Sequence, residues 1–317
     1  MVWLTAALGL VILLLAGDAL VKGAVNLALR IGIPALIVSL TIVAFGTSAP
    51  ELLISIKAAL DGVPGIALGN VVGSNTANVL MVLGIPALIA VMHTAEHDSR
   101  KSYLVMLAST VLFIGLAFRG TFDWIAGLIL LGALALALGD NIVDSLRHRR
   151  EGAAACEDDE EEPEGADPDM AGWKVGLFLV LGLVGLPLGA NLLVESATEI
   201  ARMFGVSETV IGLTLVAIGT SLPELATTVM AALRRQADVA LGNVIGSNMF
   251  NLLAIIGVAA LIKPMDVDPE FLRYDLWVML GSTLILIPFV FFRQNIGKVW
   301  GVILSALYVG YVVSVLI

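Results

Sequence analysis

The chain is 317 residues long; 59% of them are hydrophobic, 14% are charged, and the formal net charge is −10. With a mean hydropathy of +0.99, these values exclude a soluble globular protein, which at this length would need far more polar surface to cover itself. Several apolar runs exceed the ~20 residues that a bilayer-spanning helix requires, so the chain reads as an all-α polytopic membrane protein. The single Cys156 excludes an intrachain disulfide and a multi-thiolate metal centre. His93, His97 and His148 fall in or beside predicted loops, which argues against a His-based metal site.

In chain order, five helices precede an acidic segment and five follow it. The first runs from Val2 to about Leu29; it is long and lacks a basic n-region, so it is not expected to be a cleaved signal. The second starts near Pro34, breaks at Gly46–Pro50 and ends near Leu60. The third runs from about Gly65 to Val91, with a loosening expected around Gly73–Asn75. Helices four and five cover Ser102–Phe118 and Phe122–Val143. From Glu157 to Asp169 there are nine acidic residues, nearly the whole charge excess, interspersed with Pro and Gly. Such a run reads as a solvated linker. The alternative of a calcium-sensing loop is weakened because its acids lack EF-hand spacing. Helices six to ten are expected at Trp173–Met203, Ser207–Leu233 (broken at Gly219–Pro223), Ala237–Ile262 (loosened at Gly246–Asn248), Leu272–Phe292 and Ile296–Ile317. The chain thus divides into residues 1–146, a linker 147–172, and residues 173–317.

The stretch from Leu40 to Gly84 recurs, without a gap, from Leu213 to Gly257. T-I-V-A-F-G-T-S-A-P-E-L returns as T-L-V-A-I-G-T-S-L-P-E-L, and A-L-G-N-V-V-G-S-N-T-A-N as A-L-G-N-V-I-G-S-N-M-F-N. Gly46 pairs with Gly219, Glu51 with Glu224, Ser74 with Ser247 and Asn78 with Asn251, each 173 residues apart. The identities fall mainly on polar, Gly and Pro residues inside apolar sequence, which drift in lipid-facing sequence would not preserve; the chain is a duplicated unit. With the N-terminus outside, the loops place eleven Lys and Arg residues in the cytoplasm against five outside, which sets the orientation. Both termini are then external and the acidic linker is cytoplasmic, in an inner or plasma membrane. An odd number of helices per unit turns the second copy upside down. Inverted repeats with helices two, three, seven and eight broken in matching positions point to the midplane site of a secondary transporter.

A carboxylate in the hydrocarbon region is costly and is read as functional. Glu51 and Glu224 each follow a Pro that cannot complete the helical ladder. The break is expected to free carbonyls near Ala44, Phe45 and Thr47, and near Ala217, Ile218 and Thr220, which persist at membrane depth only where they face a cavity. Thr47, Ser48, Thr220 and Ser221 put hydroxyls within one turn of the two Glu. Ser74 and Asn78 on the next helix, like Ser247 and Asn251 in the second copy, are spaced i,i+4 and share a face. Two carboxylates, two Asn amides, hydroxyls and carbonyls make an all-oxygen set. It suits a hard cation, Ca²⁺ above all, with Na⁺ using the same oxygens in other groupings. Close packing by small residues is the plainer account of Gly69, Gly73 and Gly242, but it leaves two symmetry-related buried Glu unexplained.

The paired G-T-S-x-P-E and G-N-x-x-G-S-N motifs resemble those of the sodium/calcium exchanger branch of the cation/calcium antiporter superfamily, and the resemblance covers essentially the whole chain. It implies ten helices, a cytoplasmic loop between the fifth and sixth, and Na⁺/Ca²⁺ antiport by alternating access as helices one and six slide past the rest. It implies that Thr47, Ser48, Glu51, Ser74, Asn78, Thr220, Ser221, Glu224, Ser247 and Asn251 ligate the ions. The chain departs at Asn251, where many prokaryotic and potassium-dependent members carry Asp; the missing carboxylate argues against K⁺ coupling. On the residues alone two other readings stay open: a proton/calcium antiporter whose paired Glu titrate during the cycle, and a cation channel. No nucleophile–base pair or dinucleotide loop suggests an enzyme. No cofactor beyond the transported ions, no nucleic acid and no obligatory protein partner is expected.

Other charges within the helices are expected to be structural. Asp18 and Lys22, i,i+4 on helix one, are read as pairing with each other; Asn191 at the repeat position of Asp18 argues against a symmetric ligand. Asp140 and Asp144 lie near Arg147 and Arg149 and read as interfacial, while Glu195 and Glu199 share a face of helix six that suits an entry path. Gly17, Gly23, Gly185 and Gly189 suit close, sliding contact between helices one and six.

Overall fold

A computed structural model of the chain describes residues 2–96, 98–152, 167, 169–205 and 217–316. Of the expectations above, His97, Cys156, most of the acidic run 157–169 and the start of the seventh helix (residues 207–216) lie outside the described residues.

Apolar runs become helices because backbone groups in hydrocarbon must be satisfied within their own segment. Helix α1 is Val2–Ile31. A bent pair follows, α2 (Ala35–Thr47) and α3 (Ala49–Asp61), meeting at 47°. Then come α4 (Pro64–Ile89), α5 (Arg100–Ala117) and α6 (Trp124–Gly152). The second half contains α7 (Gly172–Met203), the single turn α8 (Ala217–Thr220), α9 (Leu222–Leu233), α10 (Ala237–Ile262), α11 (Pro269–Phe291) and α12 (Lys298–Leu316). Among the described residues eight helices are long and apolar enough to cross a membrane, nine if the bent pair counts as one span. Helix α6 continues to Gly152, beyond the expected end near Val143 and into the segment read as linker. That extension, D-S-L-R-H-R-R-E, contains Leu, Arg and Glu, good helix formers that need no bilayer.

Helices α4 and α10 form the centre: 78% of the apolar stretch of each is buried, against 44% or less in the other spans. Around them Leu4, Leu53, Leu136, Phe204 and Val299 are exposed, the pattern of a surface that meets lipid. The loosening expected at Gly73–Asn75 and Gly246–Asn248 is absent, since both stretches are regular α-helix. The widening comes later, as π-helical turns at Asn78–Val82 and Phe250–Ile255. Gly246 serves close approach instead: a Cβ there would lie 2.5 Å from the Leu40 carbonyl oxygen and 2.6 Å from the Ala44 Cβ. Short strands add to the helices. β1 (Thr121–Phe122) pairs antiparallel with β2 (Met265–Asp266), and Met92 bridges to Ile296. Met92 and Met265 stand 173 residues apart, so the exit of each third helix clips onto a loop of the other copy.

Helices α1 and α7 pack through glycines. A Cβ would lie 2.5 Å from the Leu20 Cβ at Gly182, 2.7 Å from the Leu13 nitrogen at Gly189, 2.9 Å from the Leu179 nitrogen at Gly23, and 2.7 Å from the Ala16 Cβ at Gly185. Gly17 departs from the expected set, facing the Ala226 carbonyl of α9 at 3.0 Å. Asp18 departs too. Its Oδ1 takes both Nε and Nη2 of Arg234 at 2.6 Å, because a planar guanidinium offers two donors in place of one mobile ammonium. Lys22 instead lies over the Phe178 ring of α7, 4.9 Å from its centroid. Asp140 pairs with Lys101 of α5 at 2.7 Å, and Glu195 and Glu199 are exposed on α7.

The α1–α7 seam makes a prediction. Gly182→Val meets backbone as well as side chain of Leu20, so it is expected to destabilise by about 1–3 kcal/mol through overpacking. Gly132→Ala, which meets nothing within 4 Å, is expected to leave the thermal midpoint in detergent unchanged or slightly raised. Equal midpoints for the two variants would contradict the seam.

Candidate functional site

Pro50 and Pro223 stand in the first turns of α3 and α9, where no backbone N–H is needed. One residue later the same turns carry Glu51 and Glu224, with no measurable exposure. A helix N-terminus favours negative charge, so each break presents a carboxylate at the electrostatically suited end of a short helix.

All ten residues singled out in the sequence are buried, and most are drawn together across the two copies. Ser48 Oγ donates to Glu224 Oε1 at 3.1 Å, and Ser247 Oγ to the same oxygen at 3.4 Å. Thr47 Oγ1 donates to Asn243 Oδ1 at 3.2 Å and lies 3.3 Å from Ser247 Oγ. The Glu51 and Glu224 carboxylates are close enough to repel each other, and the Thr220 hydroxyl lies beside Glu51. Asn78 Nδ2 donates to Asn248 Oδ1 at 3.1 Å, and Asn251 Nδ2 to Asn75 Oδ1 at 3.0 Å. The arrangement is not fully symmetric: among the described residues no bond from Ser74 to Glu51 matches that from Ser247 to Glu224. The carbonyls expected to be free are partly occupied. Ala44 O accepts from Ser48 N at 3.0 Å and Thr47 Oγ1 at 3.3 Å, and Ile218 O accepts from Ser221 N at 3.0 Å; the local turn satisfies them.

Three residue pairs belong to the same network but were not singled out in the sequence. Asn70 Nδ2 donates to Glu51 O at 3.1 Å and to Ser55 Oγ at 2.9 Å. Its counterpart Asn243 Nδ2 donates to Glu224 O at 3.3 Å and to Thr228 Oγ1 at 3.2 Å. Asn75 and Asn248 donate to each other's backbone carbonyls at 3.2 and 3.4 Å. A signal was present: Asn70/Asn243, Asn75/Asn248 and Ser55/Thr228 all fall at the repeat interval with their hydrogen-bonding chemistry retained.

Eight buried side-chain atoms among the described residues have no hydrogen-bond partner, and six belong to the residues singled out: Glu51 Oε1 and Oε2, Glu224 Oε2, Asn78 Oδ1, Asn251 Oδ1 and Ser221 Oγ. Every one is an oxygen. A buried acceptor without a donor costs about 1–3 kcal/mol, more when charged, so six on one network call for a common partner of positive charge. Two carboxylates with neutral oxygens match a hard cation. Among the described residues no group of three or more His, Cys, Asp or Glu side chains is suited to holding a metal.

The family model described as "Sodium/calcium exchanger protein" matches residues 1–140 and 174–317; the unmatched interval contains the acidic run. The chain is 36% identical over 306 residues to the putative antiporter CaxA of Alkalimonas amylolytica, covering 96% of this chain and 95% of that one. It is 34% identical over 340 residues to the sodium/calcium exchanger MaX1 of Methanosarcina acetivorans, covering 98% and 97%. Its fold is similar to a solved structure of the sodium-calcium exchanger NCX_Mj soaked with zero Na⁺ and Ca²⁺, with a TM-score of 0.83 at 30% identity over 99% of this chain and 100% of that one. A second NCX_Mj structure, soaked with 2.5 mM Na⁺ and 10 mM Sr²⁺, gives 0.81 at 31% identity over 99% of each chain. With both halves matched by one family model, and with relatives in sequence and fold over nearly its full length, the chain belongs to the sodium/calcium exchanger family.

Proposed function

We propose that the chain is a secondary active antiporter that exchanges Na⁺ for Ca²⁺ by alternating access. The ions are bound by Thr47, Ser48, Glu51, Ser74 and Asn78 together with Thr220, Ser221, Glu224, Ser247 and Asn251. The observation that carries this reading is the set of six unpartnered buried oxygens spread over both copies. Two carboxylates balance one Ca²⁺, and Ca²⁺ takes 6–8 oxygen ligands in flexible geometry. Three Na⁺ in the same place would leave one excess positive charge, so exchange at that ratio responds to membrane potential at about 2.3 kcal/mol per charge per 100 mV. Asn251 adds no third carboxylate to accommodate K⁺. Sodium and calcium are cargo in this scheme; the protein is not an enzyme and carries no cofactor.

The proposed frame is ten spans in two inverted units, residues 1–146 and 173–317, joined by a cytoplasmic segment 147–172, with both termini outside. Helix α9, with the turn α8 before it, is then the described part of the seventh span. A two-fold relation between the units is supported by reciprocal contacts between the copies, Asn75 with Asn248, Met92 with Ile296, and Met265 with Phe122, and inversion follows from the odd number of spans proposed in each. The glycine seam between α1 and α7 supports their sliding as a pair.

Three outcomes test this. Purified protein in liposomes is expected to take up Ca²⁺ down an imposed Na⁺ gradient with K⁺ replaced by a large organic cation. A proton gradient without Na⁺ should drive no uptake; flux that needs K⁺, or that runs equally on protons, would reject Na⁺ coupling. Glu51→Gln and Glu224→Gln are each expected to cut Ca²⁺ flux at least about a hundredfold, the scale of removing one partner from a buried charge pair, while size-exclusion profiles stay normal. Wild-type flux in either would remove that carboxylate from the site. Deleting residues 157–169 is expected to leave gradient-driven flux within about twofold; its loss in a correctly inserted protein would give the acidic run a direct role.

A further inference from the structure

The amides of Asn78 and Asn251 are each held in one orientation by the opposite copy. We propose that Asn75 and Asn248 are positioning residues for ion binding, forming a crossed bracket that makes Asn251 and Asn78 present Oδ1 rather than N–H to the cation. The proposal rests on the reading of the site as a cation site.

Two atoms of the bracket have a fixed hydrogen-bonding character. The backbone oxygens of Asn75 and Asn248 can only accept. Asn248 Nδ2 donates to Asn75 O at 3.4 Å and Asn75 Nδ2 to Asn248 O at 3.2 Å. These nitrogens being committed, the remaining oxygen of each amide is available as an acceptor: Asn248 Oδ1 takes Asn78 Nδ2 at 3.1 Å, and Asn75 Oδ1 takes Asn251 Nδ2 at 3.0 Å. Each ligand amide therefore has its nitrogen tied back, and its Oδ1 is buried without a partner. Turning either amide over would set oxygen against oxygen in the bracket and aim an N–H at the bound cation, two unfavourable contacts for one rotation. All four side chains are 1% exposed or less, so water does not stand in for the lost bonds. An isolated Asn offers oxygen and nitrogen with equal ease; a cation site needs the oxygen, and the bracket makes the choice.

A double-mutant cycle separates positioning from plain helix packing. Ca²⁺ affinity is measured by isothermal titration on the purified full-length protein carrying Asn75→Leu, Asn251→Asp, or both. A carboxylate presents oxygen in either rotamer and needs no positioning. Asn75→Leu alone is therefore expected to raise the Kd at least tenfold, yet not to raise it in the Asn251→Asp background, where Asn75 Oδ1 would face a carboxylate oxygen rather than an N–H. Equal losses in the two backgrounds, or no loss from Asn75→Leu alone, would overturn the proposal. If Asn75→Leu does not fold, Asn248→Leu with Asn78→Asp reads the mirror cycle. Glu51→Gln serves as the control: Ca²⁺ binding that survives it overturns the cation-site reading itself, whereas binding lost there with an additive cycle overturns the bracket alone.

Discussion

Two carboxylates lie buried at the heart of the molecule within range of mutual repulsion, and among the described residues no ion pair offsets either. Isolated charges of this kind are among the most expensive groups a protein can bury, and the surrounding structure reads as a response to them. The broken helices put each Glu in the first turn of a short helix, where backbone N–H dipoles favour negative charge. Ser48 and Ser247 share one oxygen of Glu224. Asn70 and Asn243 fasten the backbone carbonyl of each Glu to the neighbouring central helix. These contacts leave three of the four carboxylate oxygens without a hydrogen-bond partner, so the protein braces the two Glu in position but supplies few donors to them.

That bracing divides the fold into two kinds of contact. At the centre, α4 and α10 are joined by directional amide bonds between the copies, which permit one register only. At the periphery, α1 meets α7 mainly through glycines and apolar side chains, with Ser196 Oγ donating to Thr5 Oγ1 at 2.9 Å and Lys22 over the Phe178 ring. The Asp18–Arg234 pair ties α1 to the end of α9. The repeat positions of these residues are Asn191 and Asp61, which form no ion pair, so this tie exists in one copy only. The duplicated segments share their polar network, but its surroundings differ between the copies.

Sequence by itself determined the membrane class, most of the helices, the Pro-induced breaks and ten polar residues that the structure buries. The reason is physical. Span formation depends on apolar content over a single run, a Pro break is a local loss of one N–H, and a costly polar residue in lipid stands out wherever it occurs. Duplication doubled the signal by marking the same positions twice. The residues that were missed, Asn70, Asn75, Asn243 and Asn248, carried that same mark, but Asn does not announce which neighbour it will hold.

Tertiary structure decided the pairings. Asp18 had Lys22 four residues away, yet chose Arg234 at a separation of 216, because helix packing placed a two-donor guanidinium against it. The π-helical turns begin at Asn78 and Phe250 rather than at the glycines before them; at Gly246 the missing side chain serves contact with α2, not a bend. Whether an amide shows its oxygen or its nitrogen is settled by donors and acceptors 170 and 176 residues away. Local sequence specifies which groups a segment carries; only the assembled fold specifies which of them meet.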